Sequence, residues 1–348
     1  MGTVIIGIGR RLPEQVITNP EIERSSGYDR ARYAGVSLDE WSRSQHGGRT
    51  RRVARPPEST SSLAAGAARA ALDDAAVSAD DIDVIVLSTF TGGRVPPAAS
   101  HVQGDLGCSA KFLQLDSACT GFVDAMLVAD GLLRCQGYQR ALVVAADVSS
   151  PLFAPDDWVS RTVFGDGAGA VVVEHHRDDS VGIIAHSAGS DGHLSHYVTF
   201  REPGGGHPPN RGRRHLRLRY ARIGPWAVDR MVHATRTVLD RAGATLSDVS
   251  LIVPHQTSDE VLTRYGDVLG YPRDRVVSTY AELGNTAAAS IPITLVAARR
   301  QRALRPGQLI LMPAVGAGMA WGALAYRSAP PARGELTASD GTCSQRDS

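Results

Sequence analysis

A chain of 348 residues can hold one large domain or two ordinary ones around a substantial core. Apolar residues make up 43% and charged residues 21%, a globular composition that excludes a disordered chain. The net charge of +1 gives no electrostatic case for nucleic acid or a membrane surface, and no apolar run approaches the roughly 20 residues that span a bilayer.

At the start, Val4-Ile5-Ile6 is too short an apolar stretch for a secretory signal, so a cytoplasmic protein is expected. The four cysteines (Cys108, Cys119, Cys135, Cys343) form no C-x-x-C pair and are expected as reduced thiols. A helical stretch over 64–72 leads to a buried-strand pattern over 81–87. A strand over 112–115 then runs through Asp116-Ser117-Ala118-Cys119-Thr120-Gly121-Phe122 into an apolar helix over 123–133. Strands follow at 141–145 and 167–173.

The segment 201–219 is rich in Gly, Pro and Arg and reads as an exposed loop between halves. Beyond it come a helix around 234–239, a strand over 248–253 closing on His255, a turn over 283–290 holding Asn285, and strands at 309–313 and 318–324. The second series echoes the first. Asp81 and Asp248 stand 167 apart (248 − 81), and Ala141 and Leu309 stand 168 apart (309 − 141). The pair Gly167 and Gly318 is closer, 151 apart (318 − 167), which implies an insertion in the first half. Helices alternating with buried strands, twice over, predict an α/β protein of two duplicated halves. The expected division is 1–175, a linking part 176–220, a second half 221–327, and a disordered tail 328–348.

Cys119 falls on a strand-to-helix turn, where free N–H groups and the helix dipole are expected to lower its thiol pKa. His255 ends a buried strand, a common position for active-site groups in α/β sheets. The spacing of 166 (285 − 119) makes Asn285 the expected counterpart of Cys119 in the second half. His175, His176, His193 and His196 lack acidic or cysteine companions at ligand spacing, so no metal site is expected.

Taken together, DSACTGF around Cys119, VPHQ around His255 and GNTAAASIP around Asn285 resemble the thiolase superfamily, and within it the 3-oxoacyl-ACP synthase III family. IIGIGRRLPEQVITN, DEW at 39–41, FGDGAGA at 164–170 and the Gly316-Ala317-Gly318 turn with Trp321-Gly322 extend the likeness over about 2–327. The resemblance implies a thiolase-like five-layered αβαβα fold and a homodimer. It assigns Cys119 as the residue acylated by a CoA or ACP thioester, with an oxyanion hole from the backbone N–H groups of Cys119 and Ala317. His255 and Asn285 would then stabilise the enolate formed when a malonyl thioester loses CO2. No cofactor is implied beyond the thioester substrate.

Several positions depart from the family pattern. Trp41 matches the tryptophan near the coenzyme A adenine, but Gln45 and Trp158 replace its arginines. Ala221 stands for the asparagine that contacts pantetheine. The basic dock for acyl carrier protein reads Pro225, Glu260, Asp267 and Val268, and an arginine cluster over 211–222 offers a substitute. Val95, at the position where the dimer partner often closes the acyl pocket with a large side chain, implies a wider pocket for a bulky or aromatic acyl group. Two outcomes stay open: decarboxylative condensation, or transfer from Cys119 to an amine or hydroxyl of a small molecule.

Overall fold

The computed structural model describes residues 2–93, 95–135, 137–201, 215–301 and 303–329. In the first half, β1 (Gly2–Arg11), β2 (Val84–Ser88), β3 (Lys111–Leu115), β4 (Arg140–Asp147) and β5 (Gly167–His176) form one sheet in the order β1-β5-β4-β2-β3. Strands β3, β2 and β4 are parallel, while β5 runs antiparallel to both β4 and β1. Side chains of β2 alternate between two interiors: Val84 and Val86 face one apolar cluster, Ile85 and Leu87 another. A strand buried on both faces must be apolar throughout, which is why 81–87 showed no alternation.

The second half repeats this order. Strands β6 (Gly182–Ser190), β7 (Val249–Ile252), β8 (Leu309–Gly316) and β9 (Ala320–Arg327) line up as β7-β8-β9-β6, and a parallel bridge from Ile252 to Val276 takes the place of β3. Helix α1 (Thr60–Ala75) packs outside the first sheet and α3 (Tyr220–Arg241) outside the second. Between the sheets lie α2 (Gly121–Cys135) and α4 (Ser290–Arg300), giving the five layers αβαβα. Phe122, Met126, Ile291 and Ile293 of these central helices pack into a cluster shared by both sheets.

The repeat corrects one detail of the sequence reading. Turns of 3-10 helix at Ala118–Thr120 and Ala287–Ala289 enter α2 and α4, each starting from an alanine of positive φ, 44° at Ala118 and 49° at Ala287. The structural counterpart of Cys119 is therefore Ala288, 169 residues on (288 − 119), and not Asn285. Asn285 sits three residues before Ala288 (288 − 285), on the stretch leading into the turn.

The reading of 201–219 as an exposed loop is also corrected at its ends. Val198–Arg201 and His215–Leu218 pair as an antiparallel two-stranded ribbon, and Leu216 is buried against Phe153, Val163 and Phe164. Residues 202–214 lie outside the described residues, as do the tail from 330 and, with them, Arg211, Arg213 and Arg214 of the arginine cluster. Arg217, Arg219 and Arg222 of that cluster are exposed. No helix among the described residues is long and apolar enough to cross a membrane.

Candidate active site

Strand β3 delivers the chain to the turn that carries Cys119, directly ahead of α2, where the first helical N–H groups have no intrahelical acceptor. Close backbone approach makes the neighbours small. A Cβ on Gly121 would fall 1.9 Å from Ser88 Oγ, and one on Gly316 would fall 3.0 Å from Cys119 N and 2.9 Å from Thr120 N. The end of β8 thus lies against the Cys119 amide, with Ala317 next in the chain.

His255 follows β7, and its backbone N–H donates to Pro313 O at 2.8 Å, which pins it to the end of β8. Its ring is buried, with Nδ1 2.7 Å from Ser290 Oγ at the start of α4. Burial pushes the His255 pKa down to about 3, so the imidazole is neutral at any working pH. Asn285 is clamped across the halves: its N–H donates to Val163 O at 2.8 Å and its C=O accepts from Gly165 N at 3.0 Å. The side-chain Oδ1 accepts from Ala287 N at 2.8 Å, which leaves the Nδ2 amide group as the donor for a ligand.

Asp147, at the end of β4, accepts hydrogen bonds from Phe90 N (3.0 Å), Thr89 Oγ1 (3.0 Å), Thr91 Oγ1 (3.2 Å) and, across the halves, Ala288 N (3.3 Å). Burial nevertheless raises its pKa to about 7. The structure runs against the expected low pKa of Cys119: burial, then the Asp147 carboxylate, push the thiol up to about 12. Both causes act against the thiolate, since burial removes its water and the neighbouring carboxylate repels it. Alkylation of Cys119 by iodoacetamide in substrate-free protein should therefore rise about tenfold per pH unit from 7 to 9. A plateau below pH 8 would mean that the thiolate is already formed.

Cys119, His255, Asn285, Ala317 and Trp41 all line one cavity of about 790 Å3. Its inner wall is apolar, from Phe90, Val159, Val163, Phe164 and the ribbon residues Val198, Leu216 and Leu218. Trp41 stands on the helix Leu38–Gln45, which Ser37 and Glu40 close with a reciprocal capping box. Edge-on to it, at 4.6 Å and 85° between rings, is Trp158, so a second indole flanks Trp41. Gln45 also lines the cavity, and Glu260 at the rim pairs with Arg264 at 3.6 Å. Val95 does not line this cavity; it is 94% exposed.

The model of the 3-oxoacyl-[acyl-carrier-protein] synthase III family matches residues 113–192, and that of its C-terminal part matches 239–328. The beta-ketoacyl-[acyl-carrier-protein] synthase III of Cereibacter sphaeroides is 36% identical over 330 residues, covering 93% of this chain and 98% of that protein. The chain belongs to the 3-oxoacyl-ACP synthase III family. Synthase III 3 of Streptomyces coelicolor is 36% identical, over 93% of this chain and 96% of its own. Among solved structures, the 3-oxoacyl-ACP synthase III of Pseudomonas aeruginosa superposes with a TM-score of 0.85 at 34% identity, covering 94% of this chain and 99% of that one. The priming beta-ketosynthase of the R1128 polyketide pathway superposes with a TM-score of 0.83 at 29% identity, covering 95% of this chain and 97% of that one.

Sequence reasoning passed over Asp147 and Ser290. An aspartate closing the otherwise apolar run ALVVAAD was a usable signal for the first, since a buried acid needs a reason. Ser290 carried none, because its importance comes only from contact with His255, 35 residues away.

Proposed function

We propose that this 3-oxoacyl-ACP synthase III loads an acyl group from a CoA or carrier-protein thioester onto Cys119 and condenses it with a malonyl thioester. The observation that carries the reading is the meeting of a head-of-helix cysteine, a neutral histidine and an amide donor in one apolar cavity.

In the first half-reaction Cys119 Sγ attacks the thioester carbonyl, the new C–S bond forms and the old one breaks. One thiol replaces another, and the Cys119 proton leaves with the departing thiol. A thiol held protonated at rest is protected from stray alkylation and ionises only as the tetrahedral intermediate forms. The oxyanion is held by the N–H groups of Cys119 and Ala317.

In the second half-reaction the malonyl carboxylate leaves as CO2, and the electron pair becomes an enolate. With the Ser290 hydroxyl donating to Nδ1, His255 keeps its proton on Nε2, and that N–H hydrogen-bonds the enolate oxygen beside Asn285 Nδ2. The carbanion then attacks the acyl carbonyl, a C–C bond forms, and the Cys119 thiolate departs and takes a proton from solvent. A neutral His and Asn suit this role because neither adds negative charge beside a growing one.

The names of relatives that match over nearly their whole length favour condensation over the amine or hydroxyl acceptor. Several finer points belong to the same proposal. The roomy apolar wall and the small Val95 suit a bulky acyl starter, as in specialised metabolism. An apolar side chain 94% exposed at Val95 suits burial against a second copy in a homodimer. A catalytic thiol that must stay reduced suits the cytoplasm. The thioester supplies all the chemistry needed, so no cofactor is called for.

The test is sequential. Intact-mass spectrometry with a panel of acyl-CoA and acyl-carrier thioesters should find one acyl adduct per chain. Malonyl thioester should then discharge it with release of one CO2. Discharge by amines without CO2 would overturn the condensing assignment.

A further inference from the structure

Asp147 takes no part in either half-reaction, yet it is wholly buried at the end of β4, and no cation among the described residues compensates it. A carboxylate is costly to bury unless its oxygens are well used. Oδ1 is used within the first half. It accepts from Thr89 Oγ1, Phe90 N and Thr91 Oγ1, and so fixes the turn that brings Phe90 to the cavity wall. Oδ2 is used across the halves: it accepts from Ala288 N at 3.3 Å, in the turn that enters α4.

That turn is where both enolate donors are oriented. Ala287 N–H, one residue before Ala288, donates to Asn285 Oδ1 at 2.8 Å and so aims the amide nitrogen. Ser290, two residues after Ala288, holds His255 Nδ1 through its hydroxyl at 2.7 Å. Ala288 also lies against the turn of the nucleophile: a Cβ on Gly121, two residues beyond Cys119, would fall 3.2 Å from Ala288 Cβ. One carboxylate of the first half therefore grips, through a single N–H, the segment that orients both donors of the second.

We infer that Asp147 is a positioning residue for the condensation: its carboxylate ties the Phe90 turn to the turn entering α4 and thereby sets where the His255 and Asn285 donors stand relative to Cys119. The inference deepens the condensing-enzyme reading and rests on it. The same carboxylate acts on the nucleophile through space, since burial and Asp147 together hold the thiol protonated. The other ionisable groups about that thiol are His255, neutral at working pH, Asp124 on α2, and Asp116, Tyr220, Glu260 and Arg264 on the cavity wall.

Asp147→Asn tests this, because it keeps an oxygen for Thr89, Phe90 and Thr91 but turns an NH2 toward the Ala288 N–H, donor against donor, and removes the charge. CO2 release from the malonyl thioester should fall about ten- to a hundredfold in kcat, with KM little changed, as for donors displaced by a fraction of an ångström. Acyl loading of Cys119 should not slow, because its oxyanion donors are backbone N–H groups and its thiolate forms more readily. Iodoacetamide should meanwhile alkylate Cys119 about three- to tenfold faster at pH 7 to 8, with the pH profile displaced downward, since the repelling carboxylate is gone. A merely structural role would slow both half-reactions alike and leave that profile in place; either result overturns this inference alone. In the unaltered protein the Ala288 amide should exchange its hydrogen as slowly as those of the core strands. Fast exchange there would overturn the inference even if the variant did not fold. An unaltered protein that took up no acyl group, or released no CO2, would overturn the functional reading as well.

Discussion

Cys119→Ala is expected to abolish covalent loading: no acyl adduct by intact mass with any thioester, and condensation reduced by at least about 10³-fold. The size follows from chemistry rather than packing. Without Sγ there is no acyl-enzyme, and a direct meeting of two thioesters loses the split into two easier steps. The fold should tolerate the change, since Cys119 stands on the cavity wall and alanine is smaller. Circular dichroism and Tm close to those of the parent would certify that the loss is chemical. Persistent adduct formation on the variant would assign the nucleophile elsewhere, with Cys108 and Cys135 the other described thiols.

His255→Ala should divide the two half-reactions. Decarboxylation loses one of two donors to the enolate oxygen, a change of about 10²- to 10³-fold for an oxyanion-type contact. Acyl loading should fall less, because its oxyanion is held by backbone N–H groups and its proton leaves with a thiol. Burst experiments that follow adduct mass and CO2 separately would measure the split. Equal losses in both steps would falsify the assignment of His255 to the second. Since the ring is neutral, with its pKa near 3, the ratio of the two losses should not vary between pH 6 and 8.

Local chemistry explains how much of this was legible beforehand. The central strands are buried on two faces, so continuous apolar runs such as Val84–Ser88 and Leu309–Gly316 announced themselves with correct position and type. Their recurrence at a nearly constant spacing announced the duplication. Pairing Cys119 with Asn285 failed because a spacing averaged over strands ignores small length differences in turns. The two alanines of positive φ fix the true register at Cys119 and Ala288. Residues 201–219 misled because composition reports Gly, Pro and Arg but not pairing: the ends of that segment form a ribbon whose Leu216 is buried in the cavity wall.

The amino-acid order alone determined an α/β chain of two duplicated halves and the places of Cys119, His255 and Asn285 at strand ends and helix starts, because each depends on local periodicity and turn chemistry; the five layers and the roles of those residues were what the family resemblance implied. Electrostatics was decided only by the tertiary structure. A helix N-terminus is visible in sequence and argues for thiolate; the burial that reverses the argument is a sum over distant segments. Asp147, brought beside Cys119 from the end of β4, adds to it and lifts the thiol to about 12. The same holds for Ser290 against His255 and for Asp147 against Ala288. Each is a relation between residues that only folding brings within reach, and desolvation and hydrogen bonding act over those distances rather than along the chain.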